Sequence, residues 1–519
     1  MLAQSDTGPG APCPHPFNMA AHVLRHAEAL ADKVAVCVVS PDSVEDMTYA
    51  ALLAAVRGTG AGLLLAGCVP GDTILLRLGN TMDFPIAYLG ALSVGLVPVP
   101  TSAALTEVEV ARIVNALRPR MILRDPQVAS APQVVSTPQV ASTPDGSEIG
   151  LATLRAMRSL PPAPWHMGDP DRLGYIIYTS GTSGVPRAVA HAHRAIWARR
   201  MMHKGWYGLT PGDRLMHAGA FNWTYTLGTG LMDPWSVGAT ALIPAAGTRP
   251  DALGALMATH DATIFAAAPG VYRQMLVRST LPACPHLRHG LSAGEKMPPA
   301  TITAWTASTG TPVFEAYGMS ECSTFVSSCP DAPCAPDTLG RAQPGRRVAI
   351  LGPDGPVARG APGVIAVHKS DPGLMLGYLN QPTQTRARFQ GDWFLTGDMG
   401  QMDDEGQIRY LGRNDDMMNA GGYRVSPIEV EAALAPAPGI TAVGVAEVEV
   451  KPGVRIIVAF YTSDAALDER ALRAYVEPNL ARYKHPRAYM RIDQLPSGAN
   501  GKILRRRLHL FWPKDTEST

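Results

Sequence analysis

A chain of 519 residues exceeds what one hydrophobic core holds, and the length implies two to four domains or subdomains. It is 46% hydrophobic with 50 Gly and 46 Pro, the composition of a large globular α/β enzyme with many turns. The 45 Lys+Arg and 44 Asp+Glu leave a net charge of +1, which excludes the electrostatic footprint of nucleic-acid binding or of docking on an acidic membrane.

Met1–Ala20 has no basic stretch followed by an apolar run, so no signal peptide is expected. Ala50–Ala66 reads as a helix and Thr73–Arg77 as a buried strand. Leu63–Gly67 and Ile86–Pro100 are apolar, but too short or too broken by Gly and Pro to be a membrane span. Pro126–Thr143 repeats a hexad three times (PQVASA, PQVVST, PQVAST), and its Pro/Ser/Thr content predicts an extended, solvated loop without chemistry. Strands follow at Tyr175–Thr179, Thr240–Ile243 and Thr263–Ala267, with a helix at Asp251–His260. That alternation implies βαβ units and largely parallel sheets.

From about 338 to 410 short strands alternate with Gly/Asp turns, as in Asp354-Gly355, which predicts a β-rich subdomain. Beyond Arg413 the pattern is α+β: helices at Pro427–Leu434 and Asp468–Leu480, strands at Ala442–Val450 and Arg455–Tyr461. The expected division is an N-terminal domain over 1–412, a hinge at 413–415 and a small C-terminal domain over 416–519. Seven cysteines, an odd number with no C-x-x-C pair, read as reduced thiols of a cytoplasmic protein. Cys322, Cys329 and Cys334 cluster, at a spacing that suits no common zinc template.

The strongest chemical signal is Tyr178-Thr179-Ser180-Gly181-Thr182-Ser183-Gly184-Val185-Pro186-Arg187, directly after the apolar run Leu173–Ile177. Glycines let backbone N–H groups approach an anion while Thr and Ser hydroxyls donate further hydrogen bonds, so the stretch reads as a phosphate cradle. It is not a Walker loop, because Gly-Lys-[Ser/Thr] is absent.

This stretch resembles the phosphate-binding motif of the adenylate-forming superfamily: acyl- and aryl-CoA synthetases, adenylation domains of peptide synthetases, and firefly luciferase. The resemblance continues in order along nearly the whole chain. Ser292-Ala293-Gly294-Glu295 is similar to the loop beside the adenine. Glu315-Ala316-Tyr317-Gly318-Met319-Ser320-Glu321 is similar to the Y-G-x-[T/S]-E motif. The resemblance implies that Tyr317 stacks near the adenine, Ser320 bonds the α-phosphate and Glu321 holds Mg²⁺. Thr396-Gly397-Asp398 resembles the T-G-D motif, whose Asp meets the ribose, and Arg413 falls where the family's ribose Arg stands.

Asp415 matches the position on which the family's C-terminal domain rotates, an expectation that carries the mobile α+β domain with it. Asn419-Ala420-Gly421-Gly422-Tyr423-Arg424 resembles the loop that lines the pantetheine tunnel, with Arg424 counted among the nucleotide-binding residues. Pro496-Ser-Gly-Ala-Asn-Gly-Lys502 matches the motif whose Lys bridges the attacking carboxylate and the α-phosphate. Only 8 of the 45 basic residues are Lys, and one stands at this motif position. Two departures occur: Arg187 where the family usually has Lys, and Ala188 where it has Gly. Arg keeps the charge and adds bidentate donors, so phosphate contact is expected to survive.

Ala220-Phe221-Asn222-Trp223-Thr224-Tyr225 falls where the family builds its acid pocket, together with Gly318. Amino-acid-activating members place an Asp after the aromatic residue, and Asn222 here removes that countercharge. The aromatics suit a flat or short apolar acid. Ala268-Pro-Gly-Val-Tyr-Arg273 and Ser292–Glu295 look nearest to the benzoate–CoA ligase and medium-chain acyl-CoA synthetase branch.

The function implied is an ATP- and Mg²⁺-dependent acid–CoA ligase that makes an acyl-adenylate and then an acyl-CoA. Its acid would be small aromatic, alicyclic, or short-to-medium aliphatic. The rival readings are an adenylation enzyme that loads a carrier protein's pantetheine, and an inactive binding protein of the same fold. Partners are the acid and coenzyme A, with no nucleic acid; a homodimer stays open.

Overall fold

The computed structural model describes residues 1–8, 10–128, 147–179, 187–278, 280–414, 416–420, 423–451, 454–478, 480, 482–497 and 503–513. Most of the hexad repeat therefore lies outside the described residues. The fold class is the expected α/β. Two compact units are formed, one from Asp6–Arg347 with His368–Trp393, the other from Met1–Ser5, Val348–Val367 and Phe394–Thr519.

The first unit is built on a nine-stranded sheet, counted on the described residues. Its order is Arg341–Ala342, Ser323–Ser327, Val313–Met319, His289–Ala293, Ile264–Ala267, Arg214–Ala218, Thr240–Pro244, Val34–Val39 and Val44–Thr48. The interior pairs run parallel, and only the two ends are antiparallel. Parallel interior strands are covered on both faces and so read as continuous apolar runs; Ile264–Ala267 is buried at every position. A second, wholly parallel sheet has the order Val97–Pro100, Thr73–Arg77, Met121–Arg124, Ser147–Gly150.

Helix Tyr49–Leu65 matches the expected Ala50–Ala66, and the Thr48 hydroxyl caps it by accepting from the Ala51 N–H at 3.3 Å. Asp83–Ser93 is a helix buried at every residue, leading to the strand Val97–Pro100. Among the described residues no helix is long and apolar enough to cross a membrane.

Three local readings need correction. Asp251–His260 is a 3₁₀ turn at Pro250–Ala252 followed by a helix over Leu253–Thr259, because Pro250 starts the turn and fixes its φ. The helix expected over Asp468–Leu480 covers only Glu469–Val476; Asp468 caps it, and Pro478 has no N–H with which to continue the helical bonds. The strand before the phosphate cradle belongs to no βαβ unit. Leu173–Thr179 pairs antiparallel with Arg187–Ala192, since residues 180–186 are too few for a crossover, and Gly377–Tyr378 adds a third strand.

In the second unit, strands Arg347–Gly352, Pro362–His368, Trp393–Met402 and Ile408–Arg413 form the expected β-rich region. The sequence reading missed its edge strand, Gln4–Asp6. Further on, Ala442–Lys451 and Val454–Thr462 pair antiparallel, with Ala488–Arg491 parallel beside them. Helices Pro427–Leu434 and Glu469–Val476 cover one face through Val430, Leu434, Leu472 and Val476. Leu508, on the 3₁₀ segment Arg505–Phe511, packs with Val448, Val458 and Phe460.

Candidate functional site

In the first unit the motif over Glu315–Glu321 becomes the end of strand Val313–Met319 and a tight turn into Ser323–Ser327. The two strands shift register at Tyr317/Gly318. A Cβ on Gly318 would collide with the Ser323 carbonyl and the Thr324 Cα, so only glycine admits this bulge. The bulge carries Ser320 and Glu321 out of the strand, half-exposed, while the ring of Tyr317 meets Phe325 edge-on at 5.3 Å.

Buried charges fix the turn from below. Arg346 pairs with Asp371, both side chains fully buried, and also donates to the Thr324 carbonyl at 3.0 Å. Arg199 donates through Nη1 to the Ser323 hydroxyl at 2.5 Å and is paired with buried Asp233. Tyr207 and Thr229 complete that cluster, the tyrosine donating to Asp233 at 2.8 Å. Burial opposes both charges, yet the Arg199 guanidinium holds the Asp233 carboxyl below its usual range.

The ends of the phosphate cradle are held by the hairpin, with Thr179 opposite Arg187 and Tyr178 opposite Ala188. Ser180, Gly181, Thr182, Ser183 and Gly184 lie outside the described residues. Arg187 spreads its guanidinium 5.3 Å from the centre of the Tyr378 ring. Tyr378 in turn donates its hydroxyl to Glu321 Oε1 at 2.7 Å. Burial, and then the Glu321 carboxylate, push the phenol up to about 12, so it remains a donor.

A cationic Arg, a phenol and a carboxylate are thus joined in one chain, and Tyr378 was invisible to motif reading. The signal was its strand pairing with Val189, a long-range contact. We expect Tyr378→Phe to lower kcat/KM for ATP about tenfold, the worth of a hydrogen bond to a charged group. The melting temperature should stay near that of wild type. Steady-state kinetics with a melting curve checks both.

Glu321 is the carboxylate that the motif resemblance assigned to Mg²⁺. Among the described residues no cluster of three or more His, Cys, Asp or Glu could hold an ion. Mg²⁺ is commonly bound by one or two carboxylates plus substrate phosphates, with waters kept. A single carboxylate with Oε1 fixed by Tyr378 fits that mode.

Strand His289–Ala293 sets Ser292 opposite Glu315 and Ala293 opposite Ala316, which brings the two motifs expected beside the adenine next to each other. Glu315 is buried and its Oε1 accepts from the Met297 N–H at 2.6 Å, whereas Glu295 is half-buried. Burial raises the Glu315 carboxyl to about 7. The native state therefore holds this proton above the pH at which the unfolded chain releases it, so stability falls as pH rises from about 4.5 to 7. Glu315→Gln keeps an acceptor for Met297 and should remove up to about 3 kcal/mol of this slope. Urea unfolding of both proteins at about pH 4.5 and pH 8 measures it.

Gly294 stands at φ +94°, and a Cβ there would lie 2.7 Å from the Trp223 ring. The segments expected to hold the adenine and the acid therefore approach each other at this glycine. Trp223 meets Tyr225 edge-on at 5.1 Å, and Tyr225 is buried, donating to the Leu291 carbonyl at 3.1 Å. Phe221 is placed differently: it is 1% exposed and packed against Phe84 in the core. Asn222 is half-buried.

In the second unit the two ribose candidates are strand partners. Asp398 lies opposite Arg413, which donates to its Oδ1 at 3.1 Å. Asn419 pairs with Arg424 and Ala420 with Tyr423 in a hairpin whose tip, Gly421 and Gly422, lies outside the described residues. Asp415 and Lys502 lie outside them too. The base of the Lys502 loop is closed by the Leu504 N–H donating to the Pro496 carbonyl at 2.8 Å and by a bridge between Ser497 and Ile503. Arg505 grips Glu431 with two bonds of 2.8 and 2.6 Å. Sequence reading had singled out neither partner of that pair for a role.

Two family descriptions match the chain: AMP-binding enzyme over residues 23–379 and AMP-binding enzyme C-terminal domain over 429–502. The 3-hydroxybenzoate–CoA ligase of Aromatoleum sp. (strain CIB) is 30% identical over 499 residues, covering 93% of this chain and 94% of that protein. The benzoate–CoA ligase of Thauera aromatica is 31% identical over 489 residues, covering 90% and 91%. The crystal structure of a benzoate CoA ligase from Burkholderia xenovorans LB400 superposes with a TM-score of 0.83 at 28% identity, over 95% of this chain and 100% of that one.

Proposed function

The chain belongs to the AMP-binding enzyme family, and we propose that the acid it activates is a small aromatic carboxylate. The enzyme is an AMP-forming acid–CoA ligase. It joins a carboxylate to ATP as an acyl-adenylate with loss of pyrophosphate, then transfers the acyl group to coenzyme A with loss of AMP.

One observation carries the choice of acid: Trp223, edge-on to Tyr225, lies against Gly294, with uncharged Asn222 between Phe221 and Trp223. A flat ring is accommodated by aromatic edges and faces, while an ammonium would meet no countercharge there. The named activities of the two relatives, on 3-hydroxybenzoate and benzoate, support the same class.

In this reading the phosphates rest on the cradle and Arg187, and the Ser320 hydroxyl donates to the α-phosphate. Glu321 would hold Mg²⁺ carried by ATP, an ion that neutralises phosphate charge as pyrophosphate leaves. Asp398 and Arg413 hold the ribose, and Lys502 places its ammonium between the carboxylate and the α-phosphate. The backbone around 419–424 lines the path of the pantetheine arm. We propose a cytoplasmic location, which suits its seven free cysteines.

The test is AMP release with a panel of carboxylic acids, with and without free CoA. Strong CoA stimulation with benzoate-like acids is expected. Turnover confined to aliphatic acids would refute the aromatic assignment, and AMP release indifferent to CoA would favour a carrier protein as acceptor.

A further inference from the structure

Strand Arg187–Ala192 is apolar at Val189, Ala190 and Ala192, yet it carries His191 at 2% exposure. The imidazole stacks on Tyr175 with centroids 4.8 Å apart and planes 12° apart. Its Nε2 lies 2.7 Å from the Ser320 carbonyl oxygen. A carbonyl only accepts, so Nε2 bears the hydrogen. Burial holds the ring pKa down at about 4, which leaves Nδ1 a bare acceptor at neutral pH.

Among the described residues Nδ1 has no partner, and neither has the hydroxyl of Tyr88, fully buried on helix Asp83–Ser93. Both residues line one cavity of about 20 Å³, together with Arg199, Thr224, Ser320 and Ser323. A water needs roughly 10–15 Å³ by this measure and two to four polar partners. A donor hydroxyl and an acceptor nitrogen beside one such cavity satisfy both conditions.

We infer that this cavity binds one water, which accepts from Tyr88 and donates to His191 Nδ1, and that His191 is a positioning residue for the Ser320–Glu321 turn. The water fixes the tautomer that donates to the Ser320 carbonyl, while Arg199 holds Ser323 three residues on. The turn is thereby preset before ATP arrives, and its hydroxyl and carboxylate lose little freedom on binding.

The kinetic arm of the test rests on the ligase reading; the crystallographic arm does not. A crystal structure of the full chain, at a resolution that shows ordered solvent, should hold one peak within hydrogen-bond distance of Tyr88 Oη and His191 Nδ1. The peak should vanish in Tyr88→Phe. Its absence from the wild type, or its persistence in Tyr88→Phe, would overturn the water site.

In acid-dependent pyrophosphate exchange, His191→Gln retains an amide donor near the Nε2 position and should keep kcat within about threefold of wild type. His191→Asn reaches only the Nδ1 position, and should lower kcat about tenfold or more with KM for ATP little changed. Equal losses in the two variants, or a loss confined to KM, would overturn the positioning role. Should His191→Asn fail to fold, Tyr88→Phe replaces it, with a kcat loss of about threefold expected for every acid. A loss confined to hydroxylated acids would assign the cavity to a substrate hydroxyl and overturn the water. A wild type that exchanges pyrophosphate with no acid refutes the ligase reading, and the crystal structure still decides the water.

Discussion

Lys502→Ala is expected to lower acid-dependent pyrophosphate exchange by about 10²- to 10³-fold, while thioester formation from presynthesised acyl-adenylate stays within about threefold of wild type. The asymmetry follows from charge. In the first step a carboxylate approaches an α-phosphate that is itself anionic, and an ammonium between them offsets repulsion that grows toward the transition state. In the second step the leaving group is AMP and the nucleophile is a thiol, so the same cation is not required. Substitution should leave the loop intact, since its base is closed by backbone contacts of Leu504 and Ile503 and by the Arg505–Glu431 pair, none of which uses the lysine side chain. An unchanged melting curve would confirm that. Equal losses in the two half-reactions would remove Lys502 from this role.

The candidate site was legible where it resides in a string of adjacent residues. Thr396–Asp398 and Arg413 were assigned to one ribose from separate motifs, and antiparallel pairing places Asp398 and Arg413 opposite each other. The partners that hold such residues in place were not legible, because they come from distant segments with ordinary local patterns. Tyr378 reads as one aromatic in a short strand, and only its pairing with Arg187–Ala192 brings it to Glu321. His191 reads as one of several histidines until the fold places Ser320 against it.

Elements failed for local reasons. A proline two residues past Val476 ended a helix that the apolar spacing would have continued. A short connection turned an expected crossover strand into a hairpin. Phe221 shows the limit of aromatic clustering as evidence for a pocket: three aromatics within five residues divide between the core and the pocket segment, and the sequence does not say which goes where.

Asp233→Ala should cost about 3–5 kcal/mol in the unfolding transition of the unit that contains it, the largest stability effect expected here. Asp233 and Arg199 are both buried, and the carboxylate accepts from Arg199 Nε at 3.0 Å, from Nη2 at 2.5 Å and from the Tyr207 hydroxyl at 2.8 Å. Removing it leaves a guanidinium in the core without its counterion, and the desolvation of that cation is no longer offset. Urea unfolding at neutral pH measures the loss, read on the transition that the substitution moves because a two-unit chain need not unfold in one step.

The sign with pH follows from the depressed carboxyl: its stabilisation is present above the ordinary carboxylate range and is lost as pH falls through its folded pKa, so wild type and variant should converge in acid. Replacing Arg199 and Asp233 together, by Met and Leu, should recover much of the stability, because no unpaired charge remains and Tyr207 keeps its 2.9 Å bond to Thr229. The double variant should nevertheless stay slow in pyrophosphate exchange, since the Arg199 bond to Ser323 is gone and the turn that carries Ser320 and Glu321 is held less firmly. A double variant that regained both stability and full rate would show that the buried pair supports the fold alone and has no hand in positioning the turn.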